Sequence, residues 1–474
     1  MTDDVFFASI TDLNTRLKKG EFKAVELVQA FAERLEKLGP RYNALALPLT
    51  KSAIKRAKDV DDDLKRQRYR GTLQGIPFGA KDLLALAGYP TTWGAKPYAT
   101  QMFDETATVL EKLDKIGSVI VGKLAMVELA GGGGYRTAAA SLFGPGLNPW
   151  DPTCWSGGSS SGSASAVAAG LVPFALGSET SGSIITPAAF CGVTGLRPTY
   201  GLVSRHGAMA LSWTMDKVGP ICHSAEDCGL VLQAIAGSDS KDPGSAGKSF
   251  YYTPQYARQL SDLKVGFAPD DMGWADPAAR PAFQVAMEAM RGTGVQLVEA
   301  ALPDFPYGAL ADVVIGSEAG SIFEPLIQSG GVDQLADPSQ IAGLKADLTI
   351  PATEYLKAMR IRSVLKQKFR DLFAGIDVLI APARYAVAPK ITEPLDGPDS
   401  VPSPVPATAG MRRLIQAGNL AGLPALSIPC GFAGSLPVAL QLVGPAFTEN
   451  TLLALGREFQ SRTDWHKRRP PLVS

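Results

Sequence analysis

Two stretches of nearly bare backbone constrain this chain more than any other feature of it. The first reads Gly157-Gly158-Ser159-Ser160-Ser161-Gly162-Ser163-Ala164-Ser165-Ala166. The second reads Gly177-Ser178-Glu179-Thr180-Ser181-Gly182-Ser183-Ile184-Ile185-Thr186-Pro187. Between them we expect a helix of small residues over Ala164–Gly170 and a strand over Val172–Leu176. Glycine and serine at this density suit a backbone that turns sharply and aims several N–H groups at one point. Such donors hold either a phosphate or the oxyanion of an acyl-transfer intermediate; a flexible turn is the plain alternative. A phosphate cradle fits poorly, because the chain has neither G-x-x-x-x-G-K-S/T nor G-x-G-x-x-G here. A second glycine run, Gly131–Gly134, leads into no phosphate motif and reads as a flexible or closely packed turn.

If Ser183 is a nucleophile, histidine is an unpromising activator. The chain has three histidines, His206, His223 and His466, and no G-x-S-x-G elbow. His466 falls in the polar run Thr463–Arg469, which reads as a surface tail. Lys81 is the natural alternative. It follows the apolar run Ile76–Ala80 and precedes Asp82, so a strand end could carry it into the interior. A lysine serves as a base only when burial lowers its pKa towards neutrality; an ordinary surface lysine is the competing reading.

The rest of the pattern predicts an α/β fold with a covered sheet. Leu13, Leu17, Val25, Leu27, Val28, Phe31 and Leu35 recur at helical spacing in a helical region over residues 1–70, with Thr11 or Asp12 as the first cap. Strands are expected at Ser118–Val121, Leu263–Phe267, Val378–Ala381 and Leu426–Pro429, and amphipathic helices at Pro281–Gly292 and Tyr355–Phe373. Ile391–Pro406 reads as a surface loop. With no internal repeat and no clear linker, residues 1–474 are expected to form one domain.

Charge and cysteine usage narrow the function. Lys+Arg and Asp+Glu balance at 46 each, which offers no long-range attraction to nucleic acid or an acidic membrane. Five scattered cysteines, without a C-x-x-C pair, argue against a disulfide framework or a structural zinc site. The opening MTDDVFFASITDL lacks the features of a secretory signal, so a cytoplasmic location is expected.

The two glycine–serine stretches also resemble a family. They run on through Phe190-Cys191-Gly192-Val193-Thr194-Gly195-Leu196-Arg197-Pro198-Thr199, with a P-x-x-x-K-D motif at Pro77–Asp82 ahead of them. This is similar to the amidase signature family, whose hallmark is G-G-S-S-S-G-S-A, then G-S-D/E-T-x-G-S-I, then G-L-R/K-P-T. The resemblance covers about Gly75 to Pro470 and implies a large mixed β-sheet covered by helices on both faces. It implies a Ser–cisSer–Lys triad at Ser183, Ser159 and Lys81, a cis Gly158–Ser159 peptide, and oxyanion-hole amides along Thr180, Ser181, Gly182 and Ser183. It implies no metal and no organic cofactor. Three positions depart from the family: Glu179 where Asp is more frequent, Ser181 where Gly is, and Ile185 where Arg is common. Ser160, Ser161 and Ser163 are expected to brace the loop or open the next helix, and Cys191 to pack behind it.

The intact Lys81, Ser159 and Ser183 argue against a catalytically dead binding protein on this fold. Two readings of the activity follow. Tyr200–Arg205, Asp216–Pro220 and Asn419–Pro424 resemble the glutaminase component of tRNA-dependent amidotransferases, which works with a partner. Glutamine, however, needs charges to hold its head group, and Gly410–Gly418 contains no acidic residue. Our main expectation is therefore a free-standing amidase, as a homodimer if it assembles, acting on small amides and also anilides, esters or carbamates. A specificity or cap segment is expected within residues 300–350, where Phe305, Tyr307, Val313, Ile315, Ile322 and Phe323 either line an apolar pocket or fill a core.

Overall fold

The structure is a computed structural model that describes residues 1, 3–256, 258–395 and 410–471. The first part is helical, as its spacing predicts. Helices α1 (Ile10–Lys18) and α2 (Ala24–Leu38) are followed by strand β1 (Leu45–Pro48) and helix α3 (Thr50–Lys65). Helix α2 buries Leu27, Val28, Phe31 and Leu35 on one face. The cap of α1 is Ser9, whose hydroxyl accepts from Asp12 N–H, so Thr11 and Asp12 lie inside the first turn instead.

The sheet-building middle of the chain comes next. It runs β2 (Pro77–Lys81), α4 (Thr108–Lys115), β3 (Val119–Leu124), the small hairpin β4 (Leu147–Asn148) and β5 (Asp151–Trp155), α5 (Ser161–Ala168) and β6 (Phe174–Glu179). It continues through α6 (Ile185–Cys191), β7 (Thr194–Arg197), β8 (Lys217–Cys222) and α7 (Ala225–Ile235). Then follow β9 (Lys264–Phe267), α8 (Arg280–Gly292), β10 (Gln296–Glu299), α9 (Tyr307–Gln328), α10 (Pro338–Asp347) and α11 (Ala352–Phe373). The chain closes with β11 (Val378–Pro382), α12 (Leu414–Ala421), β12 (Ala425–Ala433), β13 (Leu436–Val443) and α13 (Glu449–Ser461). Of the expected loop Ile391–Pro406, residues from 396 onward lie outside the described residues.

Eleven of these strands form one mixed sheet in the order β1-β3-β2-β6-β8-β7-β12-β13-β11-β9-β10. Strands β2 and β8, near its centre, are buried along their whole length. Strands β2 and β6 are parallel neighbours, with Gly79 opposite Ala175 and Ala80 opposite Leu176. Their carboxyl ends, at Lys81 and Glu179, therefore emerge side by side, the place where open α/β sheets build sites.

Helix α5 can lie close to this point because it is made of glycine, alanine and serine with a single valine, and all eight of its residues are buried. Gly162 is the tightest fit: a Cβ there would sit 2.5 Å from the carbonyl oxygen of Ala44. The Gly131–Gly134 run is a closely packed turn. A Cβ on Gly133 would come within 2.5 Å of the Gln340 carbonyl oxygen, against helix α10.

Candidate active site

Lys81 ends β2 with its ammonium group fully buried. Its Nζ reaches Ser159 Oγ at 2.7 Å, Ser178 Oγ at 2.9 Å and Ser160 Oγ at 3.1 Å. The neighbouring Asp82 pairs with buried Lys123 at 2.8 Å, which leaves Lys81 with hydroxyls alone as direct partners. Burial lowers its pKa to about 7, against the upward pull of Asp216 and Glu179. Near neutral pH the group is thus divided between ammonium and free amine, as a general base requires.

The first glycine–serine stretch folds over this amine. The Gly158–Ser159 peptide is cis, as the resemblance implies. Ser160 N–H donates to the Ser183 carbonyl at 3.2 Å, joining the two stretches directly. Ser160 Oγ donates to the Ser178 carbonyl at 3.2 Å and Ser163 Oγ to the Leu176 carbonyl at 3.0 Å, so these serines brace the loop against β6. Ser161 opens α5.

Ser183 itself is half-buried on the turn between β6 and α6, where Gly182 has φ +95°. Among the described residues its hydroxyl has no hydrogen-bond partner, so the link from Ser159 to Ser183 is open in this structure. The backbone N–H groups of Thr180, Ser181, Gly182 and Ser183 likewise have no partner in the chain among the described residues. Those of Ile184 and Ile185 are taken by Glu179 Oε2 at 2.8 and 2.9 Å.

Beneath the turn lies a charged network that the sequence pattern does not reveal. Glu179 Oε1 accepts from Arg197 Nη1 at 2.7 Å and Asn419 Nδ2 at 2.8 Å, and both members of the ion pair are fully buried. Burial opposes ionisation of Glu179, but Arg197, Lys217 and these hydrogen bonds hold its pKa down to about 2. Lys217 Nζ donates to Asn419 Oδ1 at 2.6 Å. Thr180 Oγ1 donates to Asp216 Oδ1 at 2.6 Å, and burial raises the pKa of Asp216. Arg197 and Asn419 stand in the sequence as parts of motifs, but nothing in their spacing shows that they meet at one carboxylate.

The histidines sit apart from the amine. His206 Nε2 lies 3.2 Å from Glu105, and His223 is half-buried. The surface reading of Thr463–Arg469 holds for Asp464, Lys467, Arg468 and Arg469, which are exposed, but not for His466, which is half-buried beside His223, or Trp465, which packs on Phe459 with ring centroids 5.7 Å apart. Cys191 is buried behind the turn, donates to the Ser156 carbonyl and has its pKa pushed up by burial. Among the described residues no cluster of His, Cys, Asp or Glu could hold a metal ion, and no helix is long and apolar enough to cross a membrane.

A cavity of about 170 Å³ opens beside the turn. Ser178 and Thr180 line it, with Leu83, Met209, Leu211, Trp213 and Val218 beside Arg205, Asp216, Lys241 and Asp242, so its wall is largely apolar and carries charge of both signs. The residues expected to give an apolar pocket lie elsewhere: Tyr307 and Phe323, both on α9, are buried in the cores, and Phe305, Val313, Ile315 and Ile322 pack against those cores.

A family match adds to this geometry the class of hydrolases that act on carbon–nitrogen bonds. The chain is a member of the Amidase family, whose model matches residues 26–453. It is 35% identical to a protein from Chromohalobacter salexigens named as a component of glutamyl-tRNA(Gln) amidotransferase, over 98% of each chain. The solved structure of the Thermotoga maritima protein of the same name superposes with a TM-score of 0.80 at 26% identity, covering 100% of this chain and 99% of that one. The peptide amidase of Stenotrophomonas maltophilia superposes with a TM-score of 0.82 at 28% identity, covering 98% of both chains. These findings correct the expectation of a free-standing amidase, because the match to a protein named as part of an amidotransferase runs the full length at the higher identity.

Proposed function

We propose that this chain, as one domain over residues 1–474, is the glutamine-hydrolysing component of a tRNA-dependent amidotransferase, working in the cytoplasm. The observation that carries the reading is the full-length 35% identity to a protein of that name. The short Lys81–Ser159 contact supports a hydrolytic role. Neutral Lys81 takes a proton from Ser159 as Ser159 takes one from Ser183. Ser183 Oγ attacks the side-chain amide carbon of glutamine, and the amides of Thr180–Ser183 hold the oxyanion. Ser159 and Lys81 return the proton to the leaving nitrogen, so ammonia departs for the partner subunit. Water then cleaves the glutamyl ester through the same relay and releases glutamate.

The test uses the full chain with and without its amidotransferase partner subunits, offered glutamine, a hydrophobic anilide and an aryl carbamate in parallel. Glutamine hydrolysis that rises when the partners are added, with the anilide and carbamate left intact, supports the proposal. Turnover of the anilide or carbamate by the chain alone, without glutamine hydrolysis, contradicts it.

A further inference from the structure

The geometry points to Glu179 as a positioning residue for the oxyanion hole: its carboxylate clamps the far end of the turn that carries Ser183 and so aims the amides of Thr180–Ser183. Glu179 is the last residue of β6, yet its side chain crosses the turn to take the N–H groups of Ile184 and Ile185, just after Ser183. The turn is thus held at both ends by one residue, by backbone on one side and by carboxylate on the other. Ser160 N–H pins the Ser183 carbonyl from above.

The clamp has two further consequences. It uses up the first free amides of α6, leaving those of Thr180–Ser183 as the donors without a partner in the chain among the described residues. It also sets a negative charge close to where an oxyanion develops, which would oppose catalysis if uncompensated. Arg197 and Asn419 on the other carboxylate oxygen offset it. Ile185 is buried and apolar, and the cation that neutralises Glu179 is Arg197, at the end of β7. The inference rests on Ser183 being the nucleophile and does not depend on glutamine being the substrate.

The test compares Glu179→Met with Glu179→Gln, each combined with Arg197→Met so that no buried guanidinium is left unpaired. Glutamine keeps an acceptor oxygen for Ile184 and Ile185; methionine has none. The probe is phenylmethylsulfonyl fluoride, whose sulfur bonds to Ser183 Oγ as fluoride leaves, read by mass spectrometry of the Ser183 peptide. We expect the methionine double variant to be labelled about 10²-fold more slowly than wild type, the range for a lost oxyanion donor. The glutamine double variant should recover at least a tenth of the wild-type rate, and kcat should move with labelling while KM stays within threefold. Equal labelling of the two double variants overturns the inference. If the double variants do not fold, Glu179→Asp keeps the charge but shortens the reach. It should label about tenfold more slowly at an unchanged Tm, and a wild-type rate there overturns the inference equally. Failure of the wild-type chain to label at Ser183 removes the nucleophile, and this inference with it.

Discussion

Lys81 shows how much one burial decides. Its folded pKa, about 7, lies well below the ordinary 10.5. Because the folded state binds the proton less tightly than the unfolded chain, Lys81 costs stability progressively as pH falls from about 10.5 to about 7. With Lys81 as the proposed base, activity has the same dependence, since only the free amine accepts a proton. We predict that kcat/KM rises with pH to a plateau through an apparent pKa of about 7, measured on the amide substrate that turns over. Lys81→Met should abolish that limb and lower kcat by about 10²–10⁴-fold. The same variant should raise Tm, because an apolar chain replaces a buried amine. A fall in Tm would mean that the three hydroxyls around Nζ give more stabilisation than burial of the charge costs. Lys81 was legible in the sequence, for a lysine following a short apolar run needs only a strand to be carried inward. Glu179, Arg197, Asn419 and Lys217 were not legible as a network, because they come from β6, β7, α12 and β8 and meet only after the sheet is assembled.

At the scale of elements, periodicity located most helices and strands and misplaced their ends. The strand expected at Val172–Leu176 runs from Phe174 to Glu179, since polar Ser178 and Glu179 find partners inside and need not end it. The strand expected to stop at Pro429 continues to Ala433, because the ladder shifts register between Pro429 and Gly431 and so passes the proline. Helix α9 escaped detection: it is apolar on most sides and wedged between two cores, so it has no clean polar stripe. The packing of α5 makes a sharp prediction. Gly162→Ala would push a methyl group against the Ala44 carbonyl, which cannot retreat without moving the β1 side of the fold. We expect a loss of about 1–3 kcal/mol in chemical denaturation, whereas an unchanged midpoint would show that α5 shifts freely.

Over the whole molecule, strand order was beyond the reach of the sequence. Nothing local says that β2 should lie between β3 and β6, yet that placement brings Lys81 to the serines. The same limit misdirected the functional reading, because a missing acidic residue before Asn419 was weighed by sequence neighbourhood. The cavity beside the turn brings together Arg205, Asp216, Lys241 and Asp242 from segments far from Asn419 in the sequence, and Arg205 and Asp242 pair there at 2.6 Å. The chain's ends are also joined: Arg469 stacks on Phe7 at 4.6 Å, and Phe7 lies against His223 at 5.8 Å. Burial, with His466 and Arg469 nearby, lowers His223 to about 4, and burial lowers His466 to about 4. Both bind protons less tightly when folded, so stability is lost as pH falls from about 6.5 to about 4. Replacing both by glutamine should flatten the decline of Tm across that window, and an unaltered slope would place the acid sensitivity elsewhere. The most direct test of the central claim is to mix the full chain and the proposed amidotransferase partner subunits with glutamine, quench in acid and map the modified peptide. We predict a glutamyl ester on Ser183 in wild type and none in Ser183→Ala. Glutamine hydrolysis that persists in Ser183→Ala, or an adduct on another residue, would contradict it.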